Sequence, residues 1–242
     1  MRIDENCFLV TEPIAHRGLW GDGVAENSLS AYKKAAENGY PVEIDLYLSK
    51  DGELFSFHDK TLDRMTGESG YIYDKTAAEL KSLKLVGSDE GIPTFDQVLS
   101  VAENKIPLLI EIKNQPDKSV VDKTVARLKR YGGVFAIQSF NPLYIARVKK
   151  LAPEFLRGIL ATADEEELKN EKPLTRFIIK NTALNFLIKP DFISYDYKGL
   201  PLKKRRTKNK AVICWTVTSQ EIYDKVKPFA DNIIFENFIP ER

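Results

Sequence analysis

Val42-Glu43-Ile44-Asp45-Leu46-Tyr47-Leu48 runs through Ser49-Lys50-Asp51-Gly52 into Glu53-Leu54-Phe55-Ser56-Phe57-His58-Asp59. Side chains alternate faces along a strand, so Glu43 and Asp45 share one face while Val42, Ile44 and Leu46 take the other. The turn between the two apolar runs is only Ser49-Lys50-Asp51-Gly52. A parallel crossover needs about a dozen residues, so residues 54–57 read as the return arm of an antiparallel hairpin.

Around that hairpin, strand-like and helix-like segments alternate. Strand patterns fall at 13–16, 42–48, 107–113, 135–140, 156–160, 192–197, 211–217 and 232–236. Helical periodicity fills the gaps at 28–38, 94–102, 117–131, 144–151, 175–187 and 219–229, with 203–210 the least helix-like. Strands joined by helical crossovers form parallel sheets, and eight such units fit a closed barrel better than an open sheet. The expectation is an α/β chain with the (β/α)8 TIM barrel fold, residues 1–242 forming a single catalytic domain. Residues 49–92 would be the hairpin and a small insertion after the second strand, lying over the barrel's C-terminal face, where active sites of this fold occur.

The bulk composition excludes several classes. Formal net charge is +1, so no global field points to nucleic acid. Cys7 and Cys214 lie far apart and suggest no disulfide framework. The start, Met1-Arg2-Ile3-Asp4-Glu5-Asn6, lacks a signal peptide's apolar core, and no apolar run approaches the ~20 residues that span a bilayer. A soluble, cytoplasmic protein is expected. The basic run Lys203-Lys204-Arg205-Arg206 hints at an anionic surface but reads more simply as a solvated helix face, so no stable membrane association is expected.

Reactive groups are concentrated. The chain has 2 histidines, and each sits where chemistry is plausible. His16 ends the first strand and precedes Arg17-Gly18; His58 ends the hairpin arm. Imidazole, with an unperturbed pKa of about 6.5, gives or takes a proton near neutrality. In a barrel the apolar parity packs on the helices, which turns Glu43 and Asp45 inward. The next barrel strand repeats the pattern, with Leu109, Glu111 and Lys113 on one parity. Three crowded carboxylates repel one another, and a divalent cation resolves that; all-oxygen ligation indicates Mg²⁺ or Ca²⁺. The competing reading is a structural ion-pair layer of Glu43, Asp45, Glu111 and Lys113. Arg17 offers a donor fork suited to phosphate oxygens, and Gly18 would let backbone approach a ligand. A histidine acid/base pair around a carboxylate metal site suits phosphodiester cleavage.

The ordered set His16-Arg17-Gly18, Glu26-Asn27-Ser28, Glu43-Ile44-Asp45, Lys50-Asp51-Gly52, His58-Asp59, Leu62 with Arg64 and Thr66, Ile92-Pro93-Thr94, Glu111-Ile112-Lys113, Ser139-Phe140 and Trp215-Thr216-Val217 resembles the glycerophosphodiester phosphodiesterase family over nearly the whole chain. The resemblance implies a (β/α)8 barrel related to phosphoinositide-specific phospholipases C. It also implies one divalent cation and hydrolysis of glycerophosphodiesters to glycerol 3-phosphate and an alcohol. Carried over, it makes His16 and His58 the acid/base pair and Glu43, Asp45 and Glu111 the metal ligands. Arg17 and Lys113 would hold phosphate oxygens, and Trp215 would form an apolar wall for the substrate, unless it is a plain core aromatic. Asn27 reads as the N-cap of the helix that begins near Leu29. Departures lie at Met65, at Thr218 after Val217, and at Glu236-Asn237, where the family carries Thr-Asp before a proline; none is a proposed ligand or acid/base group. Alternatives are a lyase that ends at a cyclic phosphate, and a non-catalytic phosphodiester-binding module. The small-molecule diester is the expected partner, and nothing fixes the oligomeric state.

Overall fold

The computed structural model describes residues 3–103, 105–169 and 171–241. They form two compact units, one of residues 15–135 and one of residues 1–14 with 136–242.

The unit of residues 15–135 holds strands β1 (Ile14–His16), β2 (Val42–Leu48), β3 (Leu54–Ser56) and β4 (Leu108–Ile112). β2 is central and buried along its full length. It pairs in parallel with β1, His16 opposite Glu43, and in parallel with β4, Asp45 opposite Glu111. On the same strand β3 folds back antiparallel, with Leu46 opposite Ser56 and Leu48 opposite Leu54, as the short turn requires. Helices Leu29–Glu37, Phe95–Ala102 and Ser119–Leu128 cover this sheet. Phe95–Ala102 starts at a capping box in which Thr94 accepts from the Gln97 amide while the Gln97 side chain reaches back. The excursion after β3 is not a loose loop. Phe55, Phe57, Leu62, Ile72, Leu80 and Leu85 form a buried apolar cluster of their own, which gives the segment that carries His58 a fixed shape.

The other unit holds β5 (Phe135–Ser139), β6 (Arg157–Ala161), β7 (Phe192–Asp196), β8 (Ala211–Val217) and β9 (Asn232–Phe235), each parallel to the next. All eight strand patterns expected from the sequence are thus present, most within one residue of their expected limits. The helices deviate more. The periodic run 175–187 is two helices, Pro173–Asn181 and Asn185–Ile188, because Thr182 turns into the left-handed region at φ 48. Pro173 sets the start earlier than the apolar pattern did, since proline is well placed in a first turn. Short helices Phe8–Thr11 and Glu165–Leu168 carry too little periodicity to be foreseen.

Gly18 has a role other than ligand approach. Its φ is +86, and a Cβ there would stand 2.8 Å from both the carbonyl carbon and Cβ of Ala31 in helix Leu29–Glu37. The glycine lets β1 turn directly against that helix, which seats Arg17 at the end of the strand. Gly18→Ala should therefore cost about 2–4 kcal/mol, from left-handed strain plus overpacking. Urea unfolding monitored by circular dichroism checks this; a wild-type midpoint would show that the close approach is not needed.

Candidate active site

Strand parity does what the sequence suggested. Glu43, Asp45 and Glu111 are all buried, and each offers a carboxylate oxygen within 4.8 Å of the other two. Two cations partly offset them. Lys113 Nζ lies 3.0 Å from Glu111 Oε1 and 3.2 Å from Asp45 Oδ1, and Arg17 Nε lies 3.7 Å from Asp45 Oδ2. His16 reaches the same cluster from β1, its Nε2 4.0 Å from Glu43 Oε2.

The balance of charge differs at each carboxylate. At Glu43 burial, with Asp45 and Glu111 as like-charged neighbours, pushes the pKa well up. Glu111 is raised chiefly by burial, with Lys113 opposing. Asp45 is desolvated as well, yet Lys113, His58 and Arg17 together hold its pKa below the usual carboxylate range. The Lys113 ammonium is likewise desolvated, but Asp45 and Glu111 keep it charged with a raised pKa. Glu43 Oε2 is buried with no hydrogen-bond partner among the described residues. A buried acceptor costs about 1–3 kcal/mol when unpaired. That orphaned oxygen, among three carboxylates and beyond what one lysine and one arginine satisfy, fits a hard divalent cation. The structural ion-pair reading accounts for Lys113 but leaves Glu43 Oε2 with no hydrogen-bond partner among the described residues.

His58 stands on the excursion. Its Nδ1 lies 2.7 Å from Asp59 Oδ1. Burial, reinforced by the Lys113 charge, lowers its pKa to about 4 against the opposing pull of Asp45 and Asp59. Asp59 is held ionised, despite desolvation, by His58 and by Arg64, whose Nε donates to Asp59 Oδ2 at 2.6 Å. A neutral ring next to an ionised carboxylate places its hydrogen on Nδ1, which leaves the Nε2 lone pair as a proton acceptor.

Several supporting residues escaped the sequence reading. Glu26 accepts from Arg17 Nη1 at 2.9 Å and from Arg64 Nη1 and Nη2 at 3.0 and 2.6 Å. One carboxylate thereby ties the first strand's loop to the excursion. Asn27 is not a helix cap: Ser28 holds that position and accepts from the Ala31 amide. Asn27 instead takes φ 53, donates from Nδ2 to Asp45 Oδ2 at 3.0 Å, and accepts from the Tyr32 hydroxyl at 2.7 Å. Ser56 closes the set at 2.7 Å from the Tyr32 hydroxyl. The only signal in the sequence was the triplet Glu26-Asn27-Ser28 itself, which does not reveal its partners.

Trp215 lies in the other unit, on β8, half-buried and edge-on to Phe140 with ring centroids 5.6 Å apart. Its indole Nε1 is buried with no hydrogen-bond partner among the described residues.

A sequence profile of the glycerophosphoryl diester phosphodiesterase family matches residues 16–238. The chain belongs to that family. The Bacillus subtilis (strain 168) protein YhdW is 30% identical over 88% of this chain and 89% of its own length. A glycerophosphodiester phosphodiesterase of Caldanaerobacter subterraneus subsp. tengcongensis is 37% identical over 61% of this chain and 65% of its own. Among solved structures, an Oleispira antarctica phosphodiesterase in complex with the product sn-glycerol-3-phosphate is 25% identical, with a TM-score of 0.76 and 93% of each chain covered. A glycerophosphodiester phosphodiesterase from Parabacteroides distasonis gives a TM-score of 0.74 over 93% of this chain and 92% of its own. These likenesses establish the α/β class and the (β/α)8 barrel of this family.

With only 2 histidines in the chain, the His58 ring proton is readily assigned by NMR against His58→Ala. Its titration should centre near pH 4; a midpoint at about 6.5, the free value, would overturn the environment described. Because the folded pKa lies below the unfolded one, the stability that neutral His58 contributes is fully present above about 6.5 and is lost as the pH falls from there towards 4. Lys113→Met should leave the Asp45–Glu111 pair uncompensated and cost about 3–5 kcal/mol, read by thermal melting. Added Mg²⁺ or Ca²⁺ should recover more of this loss than the same ion adds to the wild type; equal increments would argue against a cation at these carboxylates.

Proposed function

We propose that this protein hydrolyses glycerophosphodiesters to glycerol 3-phosphate and an alcohol, with His16 and His58 as the acid/base pair. The observation that carries the reading is the group of three buried carboxylates with an orphaned Glu43 oxygen, bordered by a histidine on β1 and a histidine on the excursion. One divalent cation, Mg²⁺ or Ca²⁺, held by Glu43, Asp45 and Glu111, would draw electron density from the phosphoryl group and lower the pKa of a hydroxyl beside it.

The chain's own residues supply the rest. Arg17 is oriented by Glu26 and Asp45, and its remaining donors, together with the Lys113 ammonium, orient phosphate oxygens. His58 in its resting state, with the hydrogen on Nδ1 fixed by Asp59, takes a proton at Nε2. His16, 4.0 Å from Glu43, is its counterpart in proton transfer. In the overall reaction the phosphorus–oxygen bond to the alcohol breaks, a new one forms to the oxygen of water, and the alkoxide leaves protonated. The well-packed excursion is short, which suits small soluble diesters rather than long-chain lysophospholipids.

His16→Ala and His58→Ala should each lower turnover of glycerophosphocholine or glycerophosphoethanolamine by about 100-fold or more, with unchanged circular dichroism. Wild-type-like release of glycerol 3-phosphate from both variants would remove the histidines from the mechanism. Chelation by EDTA should abolish release and Mg²⁺ or Ca²⁺ should restore it; full activity in the chelator would exclude the cation. A cyclic phosphate as the sole end product would instead make the protein a lyase.

A further inference from the structure

Charge is unevenly distributed along this chain. Residues 169–210 contain twelve lysines and arginines against three acidic residues, although the whole chain has a formal charge of only +1. Asp164, Glu165 and Glu166 just before them pair with Lys198, Lys180 and Lys169, while Lys203, Lys204 and Arg205 are exposed. The same stretch exposes large apolar side chains. Leu174 is 71% exposed, Phe177 58% and Phe186 76%, on helices Pro173–Asn181 and Asn185–Ile188. A monomer has no reason to hold two phenylalanines and a leucine in water on adjoining helices.

The arrangement is that of an interfacial helix. Leu174 and Phe177 are three residues apart and share a helix face, while Arg176 and Lys180, four apart, share the neighbouring one. No residue of this helix is fully buried; Ile178 and Ile179 line an apolar crevice with Ile159 and Ile188 on its inner side. The basic run is fastened to the same place. Arg206 donates from Nη1 to the Lys180 carbonyl at 3.1 Å and from Nη2 to Asn181 Oδ1 at 2.5 Å. That contact fastens helix Lys204–Thr207, preceded by Lys203, to the C-terminal end of helix Pro173–Asn181, which carries Leu174 and Phe177.

We propose that this surface docks reversibly on an anionic lipid bilayer, Phe177, Phe186 and Leu174 entering the headgroup boundary and Lys203, Lys204 and Arg205 facing lipid phosphates. The pairing of aromatic insertion with cationic rim is what distinguishes a bilayer from the alternatives: a second copy of this chain would present the same excess of positive charge and be repelled. Basic residues are attracted to an anionic leaflet, and an apolar helix face adds burial to that attraction. No helix among the described residues is long and apolar enough to cross a membrane, so the contact is peripheral. It would give residues 203–206 a lipid contact where the sequence alone suggests a solvated face.

Co-sedimentation of the full chain with vesicles of phosphatidylcholine alone, and of phosphatidylcholine with phosphatidylglycerol, tests this. Binding should be at least roughly tenfold stronger to the anionic vesicles and should weaken with added salt. The exposed-site variants Phe177→Glu with Phe186→Glu, and Lys203→Glu with Lys204→Glu, should each reduce it about tenfold or more with melting temperature unchanged. Equal binding to both vesicle types, or none, overturns the proposal. So does a self-associated wild type, seen by light scattering, that the phenylalanine variants render monomeric without any vesicle binding. Retention of full binding by the phenylalanine variants would also overturn it, by reducing the contact to charge alone.

Discussion

Burial of like charge is the constraint on which the site depends. Adjacent parallel strands place Asp45 opposite Glu111, and Glu43 two residues away on the same face of β2. That register is fixed by the apolar parity: a slip of one residue would turn Val42, Ile44 and Leu46 into the site and the carboxylates onto the helices. The packing of β2 therefore forces three acidic groups together, and the surrounding residues answer that repulsion. Lys113 and Arg17 supply charge and Asn27 a hydrogen bond, and the three carboxylates are placed so that they could hold a cation.

This accounts for the way the pKa directions diverge. Asp45, which gains both cations and the Asn27 amide, is kept ionised; Glu43, farther from that help, is pushed up. Two carboxylates on one strand thus have different electrostatic surroundings, although each keeps one buried oxygen, Glu43 Oε2 and Asp45 Oδ1, with no hydrogen-bond partner among the described residues.

How much could be read from residues alone follows from the range of each interaction. The strands were legible because burial imposes period-two or continuous apolar runs, and the hairpin because four turn residues admit no crossover. The carboxylate trio was legible because parity is local to each strand. Asn27 was misread because a polar residue before a helix is usually a cap, and nothing near it in sequence shows that Asp45, eighteen positions on, is its partner. Glu26 and Arg64 were legible only as letters in a resemblance, since their pairing spans thirty-eight residues. The break at Thr182 was hidden because the apolar pattern continues across it. Nor does that periodicity show that Phe177 and Phe186 are exposed: it marks an apolar face but not what that face meets.

The Glu26 carboxylate serves two arginines that face different tasks. Through Arg17 it bears on where a phosphate would be gripped, and through Arg64 and Asp59 on the tautomer of His58. The phosphate grip proposed for Arg17 and the proton affinity of His58 consequently cannot drift independently, since Glu26 is tied to Arg17 directly and to Asp59 through Arg64. The excursion's outer residues are free of that linkage. Selection acting on this barrel can thus reshape the rim for a new alcohol while Glu26 stays fixed, and a designer altering specificity would find strong epistasis at position 26 and little among the exposed residues around it.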